Sequence, residues 1–323
     1  MYLVPDGDEL EIANAAAEYL ADTLSIERLH GADPADLKAD VRRNLGEMGW
    51  YALALPEAAG GSGLTSIEHA LFFREVGRQC GPVDLLAQCL AAMTADNPAL
   101  CASIISGEVG VALAVASGTG LRLFGSPQSD YAILVNREEA KLLALSGAKG
   151  EVRPSLDPAI SMQVALADLP VVASRAGDYV WLMGQLATAA QLVGIAEAAL
   201  EQIVDYAKVR ETFGRKIGAW QAVRHPCADM AVRLEAARSQ LWFAATAMKE
   251  GRSDAGVHLD AAKHQANQAA AANADTNIQL HGGIGVTDEH HAHLYLKHSL
   301  VLAKLFGGRR ELLSRLLNAE LED

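Results

Sequence analysis

Hydrophobic positions change their spacing twice along this chain. From Asp8 to Gly107 they recur at helical intervals punctuated by Asp, Gly and Pro, and Leu37 to Met48 reads as a short amphipathic helix. That helix runs into GWYALALPEAAGGSGLT, where Pro56 and the cluster Gly60, Gly61 and Gly63 demand a loop. Another helix begins beyond it, with Thr65 or Ser66 as N-cap and Glu68 in its first turn. From Val109 to about Tyr179 the pattern shortens to VGVALAVA, YAILV, AKLLAL and ISMQVALADL, separated by Gly, Ser, Pro and Asp. These runs predict the strands of a small antiparallel sheet. From Val180 onward helical spacing returns. Leu192, Ile195, Ala199, Ile203 and Tyr206 share one face, and Met230, Leu234, Ala237, Leu241, Ala244 and Met248 share another. A third helix is expected over Asp260 to Ile278 and a fourth over His290 to Leu305, which together make a bundle. The expected fold is α+β, mainly α: an N-terminal helical domain (1–108), a short β-domain (109–179) and a C-terminal four-helix bundle (180–323).

Composition narrows the partners. The net charge of −13, spread along the 323 residues, argues against nucleic acid or an anionic membrane surface. A local basic cluster, Lys208, Arg210, Arg215 and Lys216, stands out against it. The most apolar window, Leu186 to Val204, contains Gln191, Glu197, Glu201 and Gln202, and so reads as a buried helix and not a membrane span. Cys80, Cys89, Cys101 and Cys227 form no C-x-x-C pair and have no zinc spacing. With no signal-peptide pattern, a reducing cytoplasm is the expected setting.

One stretch breaks the helical third of the chain: QLHGGIG, Gln279 to Gly285. Glycine costs about 1 kcal/mol relative to alanine inside a helix, so three glycines in four residues end one. Two readings follow. The glycines form a C-cap and a tight turn, or they leave backbone bare so that a large ligand can lie against it.

The wider text favours the ligand. YAKVRETFGRKIGAWQAVRHPCADM, Tyr206 to Met230, closely resembles the start of the C-terminal helical domain of acyl-CoA dehydrogenases. QLHGGIGVTDEHHAHLYLKHS, Gln279 to Ser299, is similar to that family's second C-terminal signature, and LPEAAGGSGLTSIEHALFFREVGR, Leu55 to Arg78, to its N-terminal one. The resemblance implies a flavoenzyme that dehydrogenates the Cα–Cβ bond of an acyl-CoA, a carboxylate taking the α-proton and flavin the hydride. It also implies FAD shared between subunits, and electrons leaving to an electron-transfer flavoprotein. By motif match, Arg210 and Gln279 would contact the FAD of the adjoining subunit, with Phe213, Gln221, Gly282 and Gly283 close by. A guanidinium suits a diphosphate, and bare glycines at a helix end expose N–H groups to it. The plainer alternatives are an ion pair of Arg210 with Glu211 or Asp205, and a simple C-cap at the glycines. His281, His290, His291 and His293 lack carboxylates at ligand spacing and read as polar packing, with no metal.

Two departures from the family pattern shape the expectation. The central region lacks the Thr-Glu-Pro, Gly-Ser-Asp and Trp-Ile-Thr stretches that hold the flavin ring; GSPQSD, Gly125 to Asp130, is a remnant and Trp181 comes too late. Where many members carry a catalytic Glu-Gly-Thr, this chain has LFGG with Phe306. The alternative position for the base, on a bundle helix just before a glycine, holds Glu250 in AMKEG, which is either in an apolar cleft that would raise its pKa toward a useful range or simply exposed beside Lys249 at a helix C-terminus. Shortened members of this kind pair with a full-length relative as α2β2 assemblies, best represented among actinobacterial steroid and cholesterol side-chain degraders. The chain is therefore expected to be one such subunit. A self-sufficient atypical flavoenzyme and a non-catalytic scaffold subunit are the alternatives.

Overall fold

Residues 5–30, 37–118, 120–146, 150–166 and 169–319 are described by the computed structural model. In chain order come α1 (Gly7–Thr23), α2 (Ala39–Glu47), α3 (Ser66–Arg78), α4 (Asp84–Thr94) and α5 (Pro98–Ile105). Seven strands follow: β1 (Val111–Ser117), β2 (Gly120–Phe124), β3 (Tyr131–Val135), β4 (Glu139–Ala144), β5 (Glu151–Arg153), β6 (Met162–Leu166) and β7 (Val171–Ala176). The chain continues with α6 (Tyr179–Val209), a small hairpin of β8 (Glu211–Thr212) and β9 (Arg215–Lys216), α7 (Gln221–Lys249), α8 (Ala255–His281), α9 (Ala292–Leu302) and α10 (Arg309–Leu317). These elements fall into two packing units. The first gathers Met1–His30, Ala70–Cys80 and Gln185–Asp323, and the second gathers Gly31–His69 and Gly81–Gly184. The three zones read along the sequence and these two units divide the chain differently, since α1 and most of α3 pack with the C-terminal helices.

In the second unit the sheet order is β5-β6-β2-β1-β3-β4-β7. Neighbouring strands are antiparallel except β1 and β3, which run parallel with Val111 opposite Tyr131. The antiparallel expectation is corrected at that one pairing, for a simple reason. Strand β2 ends with Phe124 beside Leu113, near the start of β1, so a short loop to the other edge of β1 sends β3 off in the direction of β1. The apolar cluster of this unit is Ala112, Ala114, Leu121, Leu123, Ala132, Leu143 and Ala165. Helix α4, buried along its whole length, packs against β1, β3 and β4. The first four residues of β1 are buried on both faces, as a strand covered on two sides must be. At the head of α3, the Ile67 N–H donates to Thr65 Oγ1 (3.2 Å) and the Thr65 N–H to Glu68 Oε2 (2.8 Å), which makes Thr65 the N-cap.

In the first unit, small residues let α3 and α6 touch backbone to backbone. A Cβ on Gly77 would stand 2.0 Å from the Gln191 carbonyl oxygen, and one on Gly194 would stand 2.0 Å from that of Arg74. An ion-pair network spans the crossing. Arg78 binds Glu201 at 2.5 Å and Glu197 at 3.5 Å, and Arg238 on α7 reaches Glu197 at 2.9 Å. Helix α8 then ties the rest together. Asn273 Nδ2 donates to the carbonyls of Ala196 on α6 (3.2 Å) and Met230 on α7 (3.1 Å). Lys263 Nζ donates to Leu302 O at the end of α9 (2.9 Å), and Asp260 accepts a two-pronged contact from Arg315 on α10 (2.6 and 2.7 Å). Burial pushes the Lys263 amine well below its ordinary range. Helix α6 is long and apolar enough to cross a membrane by length and composition, but 83% of its most apolar window is buried inside the protein. The expected fourth helix is shorter than the sequence suggested, and α10 was not anticipated.

The α3–α6 contact carries a stability prediction. Gly194→Ala must force the two backbones apart and is expected to destabilise the chain by about 1–3 kcal/mol. Urea unfolding measures it, and an unchanged midpoint would contradict so close an approach.

Candidate functional site

One end of the first unit collects most of the motif residues. Helix α6 ends at Val209, and the Arg210 N–H still donates to Tyr206 O (2.8 Å). The chain then turns through β8 and β9, closed at its base by the Ile217 N–H donating to Arg210 O (2.8 Å). The two residues at the hairpin tip, Phe213 (φ +51°) and Gly214 (φ +79°), are both left-handed, as a tight two-residue turn requires. Phenylalanine is a poor choice there, because the left-handed region costs a non-glycine residue roughly 1–2 kcal/mol. Its side chain recovers nothing by burial, being 95% exposed. Behind it the Arg215 guanidinium lies 3.4 Å from the centre of the Trp220 ring, and Phe213 meets that ring edge-on at 6.4 Å.

The charges around the hairpin are paired in a telling way. Asp205 takes Lys208 (2.7 Å) and Glu211 takes Lys216 (2.7 Å). Lys216 holds the Glu211 carboxyl below its usual range through that hydrogen bond and its charge. Both acids that could have neutralised Arg210 are therefore occupied. Among the described residues the exposed Arg210 guanidinium has no partner. Gln221 opens α7, whose N-cap Trp220 makes no side-chain cap, and the backbone N–H groups of Gln221 and Ala222 find no acceptor among the described residues. An unpaired guanidinium and free N–H groups at a helix N-terminus are each suited to an anion.

The second half of this end is the turn that closes α8. Tyr206 and His281 stack with ring centres 4.4 Å apart, and Asn277 Nδ2 donates to Gln202 Oε1 (2.7 Å), so the ends of α6 and α8 lie together. Each glycine of QLHGGIG has a different reason to be glycine. Gly282 sits at φ +67° and its N–H caps Gln279 O. Gly285 folds back so closely that a Cβ would stand 2.7 Å from Ile278 O. Gly283 has neither constraint: its φ is not left-handed, it is exposed, and a Cβ would meet nothing within 4 Å. Gln279 is exposed on the last turn of α8, facing solvent.

Glu250 lies elsewhere. It is the exposed C-cap of α7, beside Lys249, which pairs with Glu9 at 3.3 Å. The 29 residues of α7 place it about 40 Å from Gln221 at 1.5 Å per residue. The apolar cleft expected around it is not formed by this chain alone: Thr246 and Ala247 are buried beneath it, but the carboxylate is in water. Phe306 is buried in the left-handed region (φ +54°) and is followed by Gly307 (φ +112°). In the second unit, the amides of GSPQSD are turned inward: Ser126 N–H donates to Asp84 Oδ1 (2.7 Å) and Gly125 N–H to Ser161 O (3.0 Å). Among the described residues no group of three His, Cys, Asp or Glu side chains is arranged to hold a metal.

Comparison with known proteins gives this geometry its class. Residues 182–321 match the acyl-CoA dehydrogenase C-terminal domain and residues 6–103 match the N-terminal domain. The chain is 32% identical to the acyl-CoA dehydrogenase IpdE2 of Mycobacterium tuberculosis over 284 residues, covering 84% of this chain and 83% of that protein. It is also 32% identical to FadE34 of the same organism over 301 residues, 87% of this chain but 42% of FadE34, so it spans less than half of that relative. Among solved structures, a steroid ACAD variant, Tcur3481-Tcur3483, superposes with a TM-score of 0.81 at 25% identity, covering 96% of this chain and 97% of that one. The chain belongs to the acyl-CoA dehydrogenase family, whose members are FAD-dependent flavoproteins.

The exposed Phe213 ring can be tested for a part in folding. Phe213→Gly removes a 95% exposed ring from a left-handed position and is expected to leave the stability unchanged or to raise it by about 1 kcal/mol of relieved strain, so that the thermal midpoint does not fall. Circular dichroism melting checks this; a clear drop would mean that the ring is structural.

Proposed function

We propose that this chain is one subunit of a heteromeric FAD-dependent acyl-CoA dehydrogenase of the α2β2 kind, cytoplasmic, acting on a steroid-derived acyl-CoA thioester and passing electrons to an electron-transfer flavoprotein. Its part is to clasp the adenosine-diphosphate half of an FAD whose ring is seated in a homologous full-length partner. The observation that carries this reading is Arg210, without a partner among the described residues while both neighbouring acids are taken, at the base of the hairpin that leads into the uncapped start of α7. Arg210 binds the diphosphate through charge-assisted bonds, helped by the Gln221 and Ala222 N–H groups. Gln279 offers its amide, Phe213 its exposed face, and Gly282 and Gly283 a backbone that a flat or extended ligand can approach. Bound FAD supplies the hydride acceptor for α,β-dehydrogenation. The inward-turned amides of GSPQSD support a ring site held by the other subunit. So do the names of relatives and neighbours that work on acyl-CoA and steroid substrates.

The 40 Å between the two ends of α7 constrains any chemistry by Glu250. A single dinucleotide cannot meet both Arg210 and Glu250 of one chain, so the base and the clasp serve different cofactor molecules. Glu250 is the candidate base for a ring at its own end of α7, and it requires a covering partner to enclose it in an apolar cleft. Glu250→Gln in the assembled enzyme tests this with FAD content held constant. Loss of turnover by about 100-fold or more assigns the proton to Glu250, within the usual range for a general base. Full turnover assigns it to the partner's carboxylate.

The flavin spectrum tests the clasp. The isolated chain is expected to be colourless and the co-expressed pair yellow, with Arg210→Glu releasing FAD from the pair while the subunits still co-purify. A yellow isolated chain that bleaches with an acyl-CoA would establish the self-sufficient reading instead.

A further inference from the structure

The turn at the end of α8 is built around His281. This ring is buried, stacked on Tyr206 of α6 at 4.4 Å on one side and on His290, from the segment beyond the turn, at 4.4 Å on another. Nδ1–H donates to Asn277 O (2.8 Å), which fixes the neutral tautomer and leaves Nε2 bare. Nε2 is itself buried, with no partner among the described residues. The turn wraps back onto this residue, and a Cβ on Gly285 would stand 3.0 Å from His281 Cβ. One side chain thus touches α6, its own helix, the turn and the segment after it. Gly282 and Gly283, the bare glycines, are the next two residues.

We propose that His281 is a positioning residue that holds the Gly282–Val286 turn in its ligand-facing shape, and that it does so only as a neutral ring clamped between Tyr206 and His290. A second proton would place an N–H at Nε2 where no acceptor waits. It would also set a charge against His290, whose Nδ1 accepts from the Ala292 N–H (3.2 Å). The groups facing this pair are aromatic or cationic. Tyr206 comes from α6; His291 lies 6.4 Å from His290; His30 stacks on His291 at 4.7 Å; and His293 adds to the field. Of the carboxylates around the segment, Glu27 is engaged with His291 Nε2 at 3.3 Å and Asp288 acts on His293, and neither is bonded to His281. Burial holds His281 below its ordinary value, and burial with the neighbouring histidines holds His290 down to about 4. The sign follows. The unfolded rings take up protons before the folded ones do, so the order of the turn is complete above about pH 6.5 and is lost as pH falls below it.

Hydrogen exchange on the full chain reads the turn directly. His281→Ala is expected to lower the protection of the Gly283 to Val286 amides about tenfold at pH 7.5, as local opening of a clamped segment does, with far-UV circular dichroism unchanged. His281→Phe keeps a ring in the stack and cannot take a proton. It is expected to restore most of that protection and to shrink the loss that the wild type shows from about pH 6.5 to about pH 4.5, leaving only the share owed to His290. Because the ligand-facing role rests on the proposed nucleotide site, ADP is titrated against the same three proteins by calorimetry, and His281→Ala is expected to weaken it about tenfold in step with the turn. Unchanged protection in His281→Ala overturns the proposal, and so does an acid loss of protection in His281→Phe equal to that of the wild type. A wild type that shows the exchange pattern and takes up no ADP overturns the nucleotide site, not the clamp.

Discussion

Burying a polar group is costly unless it finds a partner, and α8 buries Asp260, Lys263, Asn273, Asn277 and His281 along its length. Each is spent on a different neighbour. Asp260 receives α10, Lys263 caps α9, Asn273 bridges the backbones of α6 and α7, Asn277 reaches Gln202 of α6, and His281 stacks beneath the turn. Apolar contacts alone would allow the helices to slide and rotate by a fraction of a turn. Directional bonds from one helix to four others fix their register. The end of the bundle is therefore not a frayed terminus but the last rung of an ordered ladder, and that is why a glycine-rich turn can hold a defined shape there.

Electrostatics at the hairpin follow from pairing and not from net charge. The molecule carries an excess of acids, and a count alone would leave no expectation of an anion site. Locally, Asp205 and Glu211 are each engaged by a lysine, which leaves the guanidinium between them in the sequence without a counter-ion. Lysine is a point charge that an exposed acid neutralises easily. Arginine presents a planar fork that suits a diphosphate better than a single carboxylate. That both lysines are taken up in pairs while Arg210 has no partner among the described residues is legible only once the side chains are seen in space.

Much of the fold could be read from hydrophobic spacing. Strands β1, β3, β4 and β6 lie within runs of branched and aliphatic residues, and α6, α7 and α8 follow their apolar stripes. What escaped notice has a physical signature too. Strand β5 is exposed at all three positions, β7 at five of six, and β2 alternates with an outward Arg122, so none announces itself by apolar composition. Helix α10 buries only Leu312, and its charged face reads as loop. At the site, the motif resemblance located Arg210, Phe213, Gln221, Gln279 and the two glycines, and the structure brings them to one end. It could not show the separate reasons for Gly282, Gly283 and Gly285, because φ angles and close approaches are not written in spacing. His281 looked like ordinary polar packing; its stacking on both sides needed coordinates. Spacing along the sequence did not show how far Glu250 lies from the other motif residues, whereas the length of α7 sets it apart.

The hairpin tip also bears on how such a chain survives in a cell. Phe213 is held out in water with Val209 and Val286 exposed at the same end of the unit. Apolar surface grouped in this way is what chaperones and proteases recognise, and what makes free chains stick to one another. A copy made in excess of whatever covers that end would be cleared or lost to aggregates. In the proposed assembly, the protruding ring would tie the amount of this polypeptide that accumulates to the amount of its partner, without any dedicated regulator.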